Sequence, residues 1–217
     1  WKNAEIPIHL PDNIEKNVYI WKASANKTEK KVLEEGVKTR DKLRILLVNV
    51  ESFATAKVIK YLEAFIHRSN FMLAVDESTT IKNIKAKRTK SVLKIGDSAQ
   101  YKRILTGSPI TQSPMDLYAQ CAFLDKDLLG FDSYWSFQGR YAIIRQTRMG
   151  NHSFQQVVGF RNLEELTDKL HNFAYRVTKE QALDLPDKIY TTREVVLTSD
   201  QIKHYNSMKD VAVAFLE

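Results

Sequence analysis

Cysteine is almost absent: Cys121 stands alone in 217 residues. One thiol excludes an internal disulfide framework and any thiolate zinc cluster, and it fits a reducing compartment. Glycine is also scarce. None of the seven glycines is followed by lysine, so the pattern G-x-x-x-x-G-K-[ST] occurs nowhere. These residues therefore contain neither the nest of backbone N–H groups nor the lysine with which such a loop holds phosphates. No apolar run approaches the roughly 18 residues needed to cross a bilayer, and the N-terminus lacks a signal peptide's apolar region, so no membrane partner is expected. His67, His152, His171 and His204 are scattered without metal-ligand spacing. Internal repeats and low-complexity tracts are lacking too.

What is present is an ordinary globular composition, 43% hydrophobic and 27% charged. The length suits one sizeable α/β domain, or a domain with an appendage. A net charge of +7 and a pI near 9.3 favour a polyanionic partner through counterion release. The chain opens at Trp1 with residues that read as a domain interior, so an excised or processed piece is expected.

Four short apolar or β-branched runs read as strands: Val18–Trp21, Arg44–Val50, Phe71–Val75 and Arg103–Leu105. The third, FMLAV, is apolar on both faces, as in a buried parallel strand. Between the second and third, Ser52 is a candidate N-cap for a helix carrying Phe53, Ala56, Ile59, Leu62, Phe65 and Ile66. A basic loop and a helix near Lys90–Ile95 lead to the fourth strand. Strands alternating with helices predict a parallel sheet with right-handed crossovers. Ser113-Pro114-Met115-Asp116 reads as a capping box with proline at the first helical position, opening a helix to about Leu124. Met149-Gly150-Asn151 is predicted to turn a hairpin. Asn162 and Glu165 are predicted to open a helix to Phe173. A strand follows at Ile189–Leu197, then a terminal helix capped by Thr198 and Gln201 and carrying Ile202, Tyr205 and Phe215.

Two short segments carry chemistry. Val75-Asp76-Glu77-Ser78 follows an apolar strand directly, and ligands of open α/β sheets bind beyond the carboxyl ends of strands. Adjacent acids there can divide the work of nucleotide hydrolysis. Asp76 would hold Mg²⁺ through water, and Glu77 would orient or deprotonate the attacking water. Leu105-Thr106-Gly107-Ser108-Pro109 again follows a strand, exposing hydroxyls and N–H groups, with Gly107 permitting a tight bend. Taken singly, the first reads more simply as a solvated strand end and the second as a turn.

Together and in this order they are specific. VDESTTIKN (Val75–Asn83) resembles motif II of the Swi/Snf-type ATPases of helicase superfamily two, which pairs a DE dipeptide with a downstream Lys-Asn. LTGSPITQSPMDLYAQCAFL (Leu105–Leu124) resembles their motif III and the helix after it. Weaker matches flank these: Trp1–Glu5 resembles the end of motif Ia and Leu46–Glu51 motif Ib. Tyr175–Lys179, Leu185–Lys188 and Gln201–Tyr205 resemble the stretch leading towards the second motor lobe. Ser78 and Thr79 depart from the usual small residue and histidine or glutamine. Gln112 replaces an asparagine and Val177 the second of two arginines, which marks a divergent member.

The resemblance implies an incomplete RecA-like α/β lobe over residues 1–124, holding motif Ia to motif III. A helical and hairpin insertion over 125–185 and a strand and helix over 186–217, leading to a second RecA-like lobe of the same parent chain, complete the expectation. ATP and Mg²⁺ are the implied cofactors of the complete protein, with Asp76 the metal residue, Asp76 and Glu77 catalytic, and Thr106, Gly107, Ser108 and Pro109 coupling nucleotide state to nucleic acid. Duplex DNA is the implied partner, met through its backbone by Asn49 and Ser52 and by the basic run Lys82, Asn83, Lys85, Lys87 and Arg88, with Lys90 beside it. Without the phosphate loop, these residues alone are not expected to hydrolyse ATP. A cytoplasmic location, nuclear in a eukaryote, goes with this reading.

The aromatics Phe131, Tyr134, Trp135, Phe137 and Tyr141 admit two roles, a base-stacking platform or, more simply, an apolar face packing the insertion onto the lobe. The rival function is a DNA- or protein-binding module that kept the lobe and lost turnover. A metal-dependent nuclease would need a further clustered acid and lysine that the sequence does not offer.

Overall fold

The computed structural model describes residues 1–149, 152–184, 186 and 189–214. In chain order the elements are α1 (Glu5–His9), β1 (Lys16–Ile20), α2 (Lys27–Lys38), β2 (Leu43–Leu47), α3 (Ala56–Ile66), β3 (Met72–Val75), α4 (Lys87–Gly96), β4 (Tyr101–Ile104), α5 (Leu117–Leu124), α6 (Tyr134–Tyr141), β5 (Ala142–Met149), β6 (His152–Phe160), α7 (Leu163–His171), α8 (Lys179–Ala182) and α9 (Ser199–Ala214). Short 3₁₀ turns occupy Val50–Ala54, Ser78–Ile81 and Pro114–Asp116. Two compact units result, Trp1–Ala174 and Tyr175–Glu217.

In the first unit β1 pairs with β2 and β3 with β4, both in parallel, with helices in each connection. This is the expected α/β class, and the four predicted strands lie where β1 to β4 form, but among the described residues they make two separate two-stranded ladders and not the single parallel sheet expected. β5 and β6 make an antiparallel hairpin with a register shift between Ile143 and Ile144. The predicted turn residues Gly150 and Asn151 lie outside the described residues. So do Leu185, Asp187, Lys188 and Phe215.

Two apolar clusters hold this unit. Val58, Leu62, Phe65, Val75, Val92 and Ile95 form the core under the parallel strands, with Tyr19 and Trp21 from the β1 side. Phe137, Tyr141, Leu129, Met115 and Leu166 form the second. Helix α5 serves both, sending Phe123 into the first and Leu117 and Cys121 into the second. A helix apolar on all sides is a buried one, and α5 is buried along most of its length. Burial pushes the Cys121 thiol up to about 12, so it stays protonated and unreactive.

Several local expectations are corrected. FMLAV is not buried on both faces: Met72 is 61% exposed and only Val75 is buried. Among the described residues β3 has a ladder partner on one side only. Helix α3 starts after Thr55, not Ser52, because Val50–Ala54 winds as a 3₁₀ turn capped by Asn49. Ser113 caps nothing with its side chain, and Asn162 takes a left-handed conformation and donates to the Arg140 carbonyl instead. Its intended partner Glu165 is engaged by Arg140 and the Tyr141 hydroxyl.

Helix α2 has no counterpart among the sequence-derived elements, although Asn26 and Glu29 form a full capping box at its start. Its Gly36 abuts Tyr19 so closely that an added Cβ would lie 2.9 Å from the ring. In the second unit, the predicted Thr198 and Gln201 capping pair forms, with bonds of 3.0 and 3.4 Å. The predicted strand Ile189–Leu197 does not. Ile189 and Val196 are 88% and 93% exposed, and no other strand is described in that unit for them to pair with.

Candidate functional site

The two chemistry-bearing segments leave adjacent strands at the same end. β3 and β4 run parallel with Val75 opposite Ile104. The ladder continues past both: Leu105 N–H donates to the Val75 carbonyl and Ser78 N–H to the Leu105 carbonyl, each at 3.0 Å. Asp76-Glu77 is thereby placed beside the start of the Thr106–Pro109 turn, at the carboxyl edge where α/β sheets receive ligands.

Glu77 has φ 49° and ψ 57°, a left-handed conformation uncommon for a residue with a side chain. It costs of order 1 kcal/mol and persists where surrounding bonds impose it. Here the Glu77 N–H donates to Asp76 Oδ1 at 3.0 Å, and Ser78 is anchored on the next strand. The bend leaves both carboxylates exposed. Asp76 Oδ2 also accepts the Trp1 indole N–H at 3.1 Å, a tie between residues 75 positions apart that no local pattern announces.

Thr106 Oγ1 accepts the Ser108 N–H, and Ser108 Oγ donates to the Ile110 carbonyl. Gly107 has neither a positive φ nor a neighbour within 4 Å of an added Cβ, so the bend does not depend on glycine, contrary to expectation. The turn is connected to the rest by Gln120. This α5 residue is 1% exposed, accepts from Ser78 Oγ at 2.7 Å and donates to the Pro109 and Asp116 carbonyls at 2.8 Å. A lone amide in the apolar run YAQCAFL was the available signal for it, since a buried amide must find partners.

Lys82 is turned inward. Its ammonium bonds Thr111 Oγ1, Gln112 Oε1 at 3.3 Å and Asp116 Oδ2 at 3.4 Å. Burial alone would raise the Asp116 pKa. The Gln112 and Thr111 N–H groups, the Thr111 hydroxyl and Lys82 outweigh it, and the carboxyl sits below its ordinary 3.8. A depressed folded pKa contributes stability above the unfolded value that is lost as pH falls through the folded one. Thermal unfolding of Asp116→Asn should therefore show a flatter loss of stability below about pH 4 than the wild type. Equal acid slopes would remove Asp116 as a source of that dependence.

The basic run does not present itself as a set. Besides Lys82, Arg88 bends back to donate to the Thr80 carbonyl at 2.8 Å, and Asn83 Oδ1 accepts the Lys85 N–H. Lys85, Lys87 and Lys90 are exposed, and Lys85 lies 5.2 Å from the ring centre of Trp135. The 3₁₀ turn carrying Ser52 packs against α4, bringing that segment towards the helix Lys87 and Arg88 open. Asn49 is occupied with the Glu51 N–H. The aromatic cluster packs instead of offering a platform: Phe137 and Tyr141 are fully buried, and Trp135 alone of the five is 62% exposed. Among the described residues no group of three metal-binding side chains occurs, and no helix is long and apolar enough to cross a membrane.

The SNF2-related domain family matches residues 1–217. Over 135 residues the chain is 30% identical to the SWI/SNF-related matrix-associated actin-dependent regulator of chromatin subfamily A-like protein 1 of Drosophila melanogaster, covering 62% of this chain and 17% of that protein. It is 34% identical over 130 residues to the TATA-binding protein-associated factor MOT1 of Saccharomyces cerevisiae, covering 58% and 7%. The Sulfolobus solfataricus SWI2/SNF2 ATPase core in complex with dsDNA is similar at 26% identity and a TM-score of 0.48, over 88% of this chain and 40% of that one. The chain thus spans 17% or less of the length of these curated relatives.

Proposed function

This chain belongs to the SNF2-related domain family, and from that premise we propose that it is part of a nucleic-acid-dependent ATPase motor that moves along duplex DNA without separating its strands. The observation that carries this reading is the union of Asp76-Glu77 with Thr106–Pro109 at the carboxyl ends of two bonded parallel strands. One segment bears acids and the other a turn able to report on a bound polyanion.

Asp76 fits a magnesium residue. It is an exposed carboxylate at the carboxyl end of a strand, open to an ion that keeps water and phosphate oxygens as its other ligands. Mg²⁺ bound there supplies neutralisation of charge on the phosphates. Glu77, held on the left-handed bend, orients the attacking water and takes its proton. A cradle for the phosphates is not among these residues, since no G-x-x-x-x-G-K-[ST] occurs, so turnover belongs to the complete protein and not to this stretch. Lys85, Lys87 and Lys90 meet the DNA backbone, while Lys82 and Arg88 brace the loop behind them. Residues 1–124 form the part of the RecA-like lobe from motif Ia to motif III, 125–185 the insertion, and 186–217 the approach to a second lobe. A nuclear or cytoplasmic site of action goes with this role.

The rival, a binding module without turnover, draws on the same missing phosphate loop. Steady-state ATP hydrolysis by the complete protein, with and without duplex DNA, separates the two. Turnover stimulated by DNA is expected. DNA binding with no turnover would establish the binding module.

A further inference from the structure

Among the described residues, one hydrogen bond joins the segment Thr106–Ile110 to a distant part of the chain: Gln120 Nε2 to the Pro109 carbonyl. The other side-chain bonds of that segment stay within it. The same amide holds Ser78, the residue directly after Glu77, through its oxygen. We infer that Gln120 is a positioning residue linking the two halves of the site, so that displacement of the Thr106–Pro109 turn by bound DNA is passed to the Asp76-Glu77 bend. The inference rests on the motor reading proposed above.

Three features make the link stiff. Gln120 uses both N–H groups and its oxygen, and reversing the amide would set its oxygen against two carbonyls, so one orientation is fixed. Ser78 and Gln120 are both buried, at 0% and 1% exposure, where water cannot replace a lost partner. Helix α5 is anchored in two apolar clusters and cannot yield easily. The Glu77 bend next to Ser78 is, by contrast, a strained conformation that a small pull can shift. Lys82 and Asp116 fasten the following residues of the same loop to Thr111 and Gln112, which limits the movement to the bend itself.

The test uses the complete protein with Gln120→Leu and Ser78→Ala combined. Replacing both partners removes both ends of the buried Ser78–Gln120 bond, where either single change would leave one end unpaired. Of the two carbonyls that lose the Gln120 amide, that of Pro109 belongs to an exposed residue and can turn to water. DNA-stimulated hydrolysis divided by basal hydrolysis is expected to fall roughly 5–150-fold, the range of ordinary coupling between sites, with DNA affinity retained. A purely structural role would leave that ratio where it was, and an unchanged ratio in the folded double variant overturns the inference. Amide hydrogen exchange on the wild type decides it without a variant. Binding a DNA duplex should alter exchange at Ser78–Lys82, and bound DNA that leaves those amides unchanged overturns the link. A wild type that hydrolyses no ATP defeats the motor reading instead, and the exchange result still decides whether the two segments communicate.

Discussion

Glu77→Gln in the complete protein should lower DNA-stimulated ATP hydrolysis about 10²–10⁴-fold, the usual contribution of a positioned general base. The substitution keeps the shape of the side chain and removes only its ability to take a proton. Nothing in the fold opposes it. The Glu77 carboxylate is exposed and makes no side-chain hydrogen bond among the described residues, and its bend is held by its own N–H and by Ser78. Stability should therefore stay within about 0.5 kcal/mol of wild type, as for most surface substitutions. DNA affinity should also survive, since the exposed lysines are untouched. Measured together, these three quantities isolate proton transfer. A turnover within a few-fold of wild type would remove Glu77 from the chemistry, while Asp76 and the turn would keep their places.

Phe137→Ala should destabilise the protein by about 3–5 kcal/mol in denaturant unfolding, the usual cost of removing a fully buried phenylalanine. Phe137 is 0% exposed and meets Tyr118, Phe131 and Tyr141 at centroid separations of 5.4, 5.5 and 4.9 Å. Removing it would empty the middle of the second cluster, against which Leu117 and Cys121 of α5 also pack. Trp135→Ala, two residues earlier on the same helix, makes the control: its ring is mostly exposed and its loss should cost far less. Equal costs would mean that the aromatic segment is not a core. Because α5 also carries Gln120, Phe137→Ala should further loosen the amide that spans the site, seen as faster exchange at Ser78.

Much of the candidate site was legible because its signals are local. An apolar tetrad followed by two acids, and a short strand followed by Thr-Gly-Ser-Pro, each state their geometry within a few residues. The match of those segments to a motor family rested on their order along the chain. Helix α3 followed from apolar periodicity, α5 and α7 from start signals at Ser113-Pro114 and Asn162, and the α9 cap from Thr198 and Gln201 alone. Local patterns misled where a side chain had a better distant partner. Asp116 fits a capping box with Ser113, yet it turns to Thr111, Gln112 and Lys82. Lys82 and Arg88 belong to a basic run, and each makes an internal bond that the run itself does not announce. The alternation of Ile189–Leu197 fits a strand, but a strand needs a neighbour to bond, and none is described in its unit.

The sequence by itself determined the α/β class, the four parallel strands and the identity of the acids, because backbone periodicity and turn chemistry act over a few residues. Only the tertiary structure decided which groups are free to act. It set the left-handed bend at Glu77, the Trp1 indole on Asp76, the internal use of Lys82, and the Gln120 amide between Ser78 and Pro109. Each of these joins residues far apart in the chain or is imposed by bonds from a neighbouring strand. A buried polar group takes whichever partner the packing brings within 3 Å or so, and packing is not written in any local stretch.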